Sequence, residues 1–184
     1  QISINKAKLE GEIGNFHLAL KNSESILKKV KRIIGENSIE AALLSNNIGT
    51  YYTLKGDFTT ATINVKAALD IYNKIYIDSH PNIAECYNNL GLLEMKKANF
   101  DDALDYFEKS CKIYVEVYRE AVDLNINYVK VLNNMGIVFA KKGEYEKATS
   151  NLLICIKHWT NIFDNDHIEL ANAYNNLGVL FILQ

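Results

Sequence analysis

Proline is nearly absent from this chain: Pro81 is the single one in 184 residues, and glycine occurs nine times. So little punctuation suits long helices joined by short turns. Cysteine is scarce and its count is odd. Cys86, Cys111 and Cys155 lie far apart, in no zinc or CxxC spacing, which excludes a metal framework and favours a reducing, cytoplasmic compartment. No charge of one sign dominates. Twenty basic residues face 22 acidic ones, a net charge of −2, too weak to draw nucleic acid or an anionic membrane. No apolar run approaches the roughly 18 residues needed to span a bilayer. GxGxxG, P-loop, HExxH and GxSxG are all missing, so the chain reads as no enzyme and implies no cofactor. There is no signal peptide and no initiating methionine, and the expectation is a piece of a longer protein. What the chain does have is apolar content, 48 %, enough at this length to bury a core.

It also has repetition. LSNNIG at 44–49 recurs as CYNNLG at 86–91, VLNNMG at 131–136 and AYNNLG at 173–178. The glycines Gly49, Gly91, Gly136 and Gly178 are spaced by 42, 45 and 42 residues. A fixed period near this length marks a stacked repeat array. A second block follows in register: KGDFTTA, KANFDDA and KGEYEKA are one turn written three times. IGNFHLA, Ile13–Ala19, is a fourth copy. It implies an earlier unit with Asn5 in its first helix and Ala7 in the glycine column.

Each unit reads as two helices. In the second unit the first helix is expected over about Ser38–Lys55, the turn at Gly56-Asp57, and the second helix over about Thr59–Tyr76. Gly56 can take the left-handed conformation that ends a helix. Asp78 or Ser79 offers an N-cap to the next unit, with Pro81 in its first turn. Apolar residues recur at helical spacing along the second helices. The columns are Val65, Ala68, Leu69, Tyr72, Tyr76; then Phe107, Ser110, Cys111, Tyr114, Tyr118; then Leu152, Cys155, Ile156, Trp159, Phe163. Aromatic pairs at their ends are expected to lengthen these helices.

The order G-x-x-Y, small-x-F/Y, then Ala, then an apolar second-helix face resembles the tetratricopeptide repeat. The likeness covers essentially the whole chain. Units longer than about 34 residues, with NNLG in the first helix and SHPNIA before it, are most similar to the repeats of kinesin light chains. The resemblance implies an all-α fold, a right-handed superhelical solenoid of antiparallel helix pairs. It is expected as one array, in units of about 1–36, 38–77, 81–121 and 124–164 plus a partial 166–184. Three departures stand out. The family's proline after the second helix is missing, Glu94 replaces an aromatic, and the linker Arg119–Asn127 is three residues longer.

Glycine in mid-helix costs about 1 kcal/mol against alanine. That cost is offset where two helices must touch. Gly49, Gly91, Gly136 and Gly178 are therefore expected against the second helix of their own unit, opposite Ala61, Ala103 and Ala148. In such an array the first helices line the concave surface. The second asparagines, Asn47, Asn89, Asn134 and Asn176, form one column, extended by Asn5. By the family resemblance this column faces the groove and bonds the backbone of an extended peptide, a task suited to an amide with donors and an acceptor. The alternative is that the asparagines cap or pair with neighbouring helices. The first asparagines Asn46, Asn88, Asn133 and Asn175 are open to either use.

Neighbouring columns carry Leu43, Glu85, Lys130 and Asn172; then Thr50, Leu92, Ile137 and Val179; then Met95 and Ala140, with Lys96 and Lys141. An apolar floor with asparagine rungs and a few lysines suits a peptide with some acidic residues. The same lysines also fit an ordinary solvated surface. The double carboxylate clamp of chaperone-binding family members is not expected. His17, His80, His158 and His167 are scattered and suggest no metal site. His80 and His167 occupy equivalent turns. The cysteines read as core. The basic run Lys28–Arg32 reads as a solvated face, because Val30 continues the core column. The apolar end Val179–Leu183 is expected either to meet further chain or to self-associate. The leading expectation is a protein- or peptide-binding scaffold. A structural spacer in a large complex, or the regulatory region of a larger enzyme, is the alternative.

Overall fold

The computed structural model describes residues 15–163 and 167–183. The described residues contain helices and no strand. In chain order the helices are α1 (Phe16–Ile33), α2 (Ile39–Lys55), α3 (Phe58–Ile75), α4 (Pro81–Lys96), α5 (Phe100–Tyr118), a 3-10 helix (Arg119–Leu124), α6 (Ile126–Lys141), α7 (Tyr145–Ile162) and α8 (Ile168–Leu183). Asn5, Ala7 and the start of the IGNFHLA block lie outside the described residues.

The chain divides into two compact units, Gln1–Leu93 and Glu94–Gln184. In the first, α2 packs against both α1 and α3. Its core joins Ala19, Leu20, Ile48 and Tyr51 at one end of α1 to Val30, Ala41 and Leu44 at the other. In the second, α6 packs on α5 and α7, and α7 on α8. Here the core is larger and centres on Val129, Leu152, Cys155, Trp159, Leu170 and Leu180.

The repeated turn explains why the helices pair. Gly56 ends α2 with φ +84°, its N–H donating to Thr53 O (3.1 Å) while Asp57 N–H donates to Tyr52 O (3.0 Å). Gly143 does the same after α6, with φ +77° and Glu144 N–H donating to Phe139 O (2.9 Å). These paired bonds satisfy orphan carbonyls at a helix end. Ala98 holds the matching place after α4, at φ +64°, with Asn99 N–H donating to Glu94 O (2.9 Å). A side chain is strained in that conformation. Glu94, standing where an aromatic was expected, ties the turn instead: it accepts from Lys97 Nζ (2.9 Å) and Asn99 Nδ2 (2.8 Å).

Helix starts are capped by short polar side chains. Ser38 accepts from Ala41 N–H (3.2 Å), Asp57 from Thr60 N–H (3.0 Å), and Asn125 from Tyr128 N–H (3.0 Å). The three extra linker residues are taken up in the 3-10 helix that precedes Asn125. At the start of α4, His80 Nδ1 accepts from Asn82 N–H (3.1 Å). His167 Nδ1 likewise accepts from Glu169 N–H (3.2 Å) at α8. Each ring stacks on the aromatic ending the preceding helix, His80 on Tyr76 at 3.6 Å and His167 on Phe163 at 3.5 Å. Tyr76 and Phe163 are thus C-cap residues. They join one helix pair to the next, whereas Tyr118 is the last residue of α5, as expected of an aromatic that lengthens the helix.

The core columns hold except at Leu69 and Cys111 and at the terminal aromatics Tyr76, Tyr118 and Phe163, which are half-buried. Ile71, Leu104 and His158 are buried without having been expected. Burial pushes the Cys111 and Cys155 thiols up to about 12, so neither is a reactive thiolate.

Candidate functional site

The glycine column does what its cost requires at two positions. A Cβ on Gly49 would collide with Val65 Cγ2 and stand 3.2 Å from Ala61 O. On Gly136 it would meet Leu152 Cγ at 3.0 Å. Gly49 therefore faces α3 at Ala61, as expected, while Gly136 meets α7 one turn beyond Ala148. Gly178 has nothing within 4 Å of the same point.

The asparagines divide by position. Asn46 is 2 % exposed. Its Nδ2 donates to Glu85 Oε1 (3.3 Å), and its Oδ1 accepts from Asn89 Nδ2 (2.9 Å) and from the Cys86 thiol (3.6 Å). Glu85 only accepts, so it fixes which end of the Asn46 amide faces Asn89. The second unit repeats this link, Asn176 Nδ2 donating to Asn133 Oδ1 at 3.1 Å. Both links join the first asparagine of one repeat to the second asparagine of the next. The ligand-facing expectation for Asn46 fails on burial: it is an internal rung that holds Asn89. Asn133, like Asn88, is half-buried. Asn47, Asn89, Asn134 and Asn176 are all half-buried.

The flanking columns differ in availability. Leu92, Met95 and Ile137 are half-buried, and Lys96 and Lys141 are exposed. Lys130 is not a free cation, because Nζ lies 3.0 Å from Glu169 Oε1. In the second unit a cleft of about 200 Å³ opens between α6, α7 and α8. Ile137, Ala140 and Lys141 line one side, Asn176, Val179 and Leu180 the other, and Leu152 its base. Three expected site residues, Ile137, Lys141 and Asn176, meet there. The interlocking of consecutive asparagine pairs, by contrast, could have been suspected only from their fixed period.

Among the described residues, no group of three or more His, Cys, Asp or Glu could hold a metal ion. No helix there is long and apolar enough to cross a membrane.

The chain spans 64 % of the uncharacterized protein ycf37 of Guillardia theta, to which it is 27 % identical over 127 residues, 68 % of its own length. It is 26 % identical over 113 residues, 61 % of its length, to the clustered mitochondria protein homolog of Caenorhabditis elegans, but spans 9 % of that protein. Among solved structures it resembles BtubC (BKLC) from P. vanneervenii, with a TM-score of 0.78 and 17 % identity over 96 % of this chain and 69 % of that one. It also resembles the nearly identical TPR-like repeats of a putative kinesin light chain from Podosopora anserina, with a TM-score of 0.70 and 14 % identity over 99 % and 88 %. The fold is therefore an all-α solenoid of the kinesin-light-chain-like kind. The tetratricopeptide repeat model matches residues 40–114 and 128–184. With the period, the paired helices and the repeated turn, that match covers most of the sequence, and the chain belongs to the tetratricopeptide repeat family.

Proposed function

We propose that the chain is a non-catalytic interaction module, and that it holds an extended peptide or a partner helix against its first helices. Tetratricopeptide repeats in general mediate protein–protein interaction. The observation that carries the finer reading is the cleft between α6, α7 and α8, apolar except for one amide, Asn176, and one cation, Lys141. Small clefts with few placed polar groups suit an apolar side chain held by its flanking backbone. Asn47 and Asn89 are the rungs of the first unit, beside Asn88, and Asn134 and Asn176 those of the second, beside Asn133. Leu92, Met95 and Ile137 form the floor. Lys96 and Lys141 favour an acidic residue in the ligand, whereas Lys130 contributes only when released from Glu169. No cofactor, nucleic acid or membrane takes part, and the setting is the cytoplasm.

Selection of a displayed random peptide library against the chain supplies a ligand for the test. Asn89→Ala combined with Asn176→Ala is expected to lower its affinity at least tenfold while the helical circular dichroism is retained. Unchanged affinity in a folded double variant rejects the groove. Self-association through α8 is a second reading. Ala171, Tyr174, Asn175, Gly178 and Phe181 are exposed there, and the corresponding residues of α2, α4 and α6 are buried or half-buried. Light scattering that shows a strict monomer at high concentration removes it.

A further inference from the structure

The basic run at the end of α1 borders a cleft that the candidate groove does not use. α1 carries Lys21, Lys28, Lys29, Lys31 and Arg32 against a single acidic residue, Glu24, in a chain whose net charge is −2. Lys28 and Lys31 line a cleft of about 390 Å³ between α1 and α3. Leu27, Ile48 and Tyr52 are also in its wall, and Thr60 and Asn64 complete it from α3. Both lysines are exposed, and neither pairs with a carboxylate among the described residues. Glu24, the acidic group of the wall, is already engaged: it accepts from the Tyr52 hydroxyl at 2.7 Å. A further cation, Lys55, places Nζ 5.8 Å from the centre of the Tyr52 ring. Helix-dipole complementarity accounts for Lys31 and Arg32 in the last turn of α1. It does not account for Lys28, one turn earlier, which with Lys31 lines the same cleft as Tyr52.

We propose that the cleft between α1 and α3 is a second docking site, for an acidic segment of a protein partner in which carboxylate and aliphatic side chains alternate. Its carboxylates meet Lys28 and Lys31, and an aliphatic side chain rests on Leu27 and Ile48. Two features favour a peptide over other polyanions. The cleft holds about 390 Å³ and sets Leu27 and Ile48 beside the lysines, which suits the side chains of one extended chain and not a duplex. No exposed aromatic face stands beside the lysines for a base to stack on, because Tyr52 is half-buried and tied to Glu24. Surface charge pairs of this kind act on association and on salt dependence more than on raw affinity.

The test is fluorescence anisotropy with a fluorescein-labelled octapeptide alternating glutamate and leucine, and a glutamine–leucine peptide as control. Saturable binding of the acidic peptide is expected, weakening with added salt. Lys28→Glu with Lys31→Glu should reduce it at least tenfold, and Lys28→Gln with Lys31→Gln by a smaller factor. Because Lys96 and Lys141 of the proposed groove also favour acidic residues, the Lys28/Lys31 variants are compared in a Lys96→Glu, Lys141→Glu background, so the two sites fail independently. Both lysines are exposed, and a thermal melt checks that each variant folds. Equal binding of the two peptides, or no change in either Lys28/Lys31 variant, overturns the proposal. So does tighter binding of a decauridylate oligonucleotide, or of phosphatidylserine vesicles, that the same charge reversal abolishes.

Discussion

Replacing Gly49 and Gly178 by alanine sets one substitution in two environments. In an open helix the change stabilises by about 0.5–1 kcal/mol, because alanine loses less backbone freedom. At Gly49 the added methyl enters the space of Val65, which is fully buried and β-branched and so cannot turn away. Ala61 O and Val65 N, at 3.2 and 3.3 Å, close the remaining room, and both are backbone. Overpacking of this kind costs about 1–3 kcal/mol. Set against the propensity gain, the net effect is a loss of about 1–2 kcal/mol. For a chain of this size that lowers Tm by about 2–8 °C. Gly178 has no neighbour within 4 Å, so only the gain remains, and Tm should rise by about 1–3 °C.

Thermal melts followed by circular dichroism at 222 nm read both changes. The opposite signs are the decisive result, since helix propensity alone moves both upward. Val65→Ala in the Gly49→Ala background should recover part of the loss, because the two sites share one contact. If Gly49→Ala melts at or above the parent temperature, close helix contact is not why the glycine column exists.

Ala98→Gly should stabilise by about 0.5–1 kcal/mol, as it places the unstrained residue where Gly56 and Gly143 already stand; urea denaturation reads it. Asn46→Ala should cost about 1–3 kcal/mol by leaving buried partners unmade around Glu85 and Asn89, whereas Asn47→Ala, on the half-buried rung, should cost less. Burial lowers the His80 pKa below its usual value. The unfolded chain then binds the proton more readily, so stability is full above about pH 6.5 and falls as the pH drops below it. Melts between pH 7.5 and 5 test this, and His80→Asn, which keeps a capping acceptor, should flatten that part of the profile.

The period was legible because it is a property of the whole chain, and errors in single residues do not disturb it. Helix ends came within about a residue in the second unit, Thr59–Tyr76 against Phe58–Ile75, since Gly56 and Asp57 announce the turn locally. The part His80 plays at the start of α4 was not legible. Asp78 and Ser79 have the usual side chains, but stacking on Tyr76 places the His80 ring where its nitrogen can take the Asn82 N–H. Burial of Asn46 was equally hidden. Adjacent asparagines differ by about 100° around the helix, and which one turns inward depends on Glu85 and Asn89, some 40 residues away in the chain.

On the proposed groove, this pairing gives both asparagines of the motif a role. A single amide facing a ligand on an exposed helix would be free to rotate, and fixing it at binding costs side-chain entropy. Here Asn89 is already held through one N–H by Asn46, and Asn176 by Asn133. Asn46 and Asn133 thus hold Asn89 and Asn176 before any ligand arrives. A consequence separates this from simple surface recognition. Asn133→Ala should weaken a groove ligand although Asn133 need not touch it, and Asn133→Asp should spare the affinity, because a carboxylate oxygen still accepts from Asn176 Nδ2. Titration of the library-selected peptide against both variants measures the difference. Equal losses would place Asn133 in direct contact with the ligand and refute the holding role.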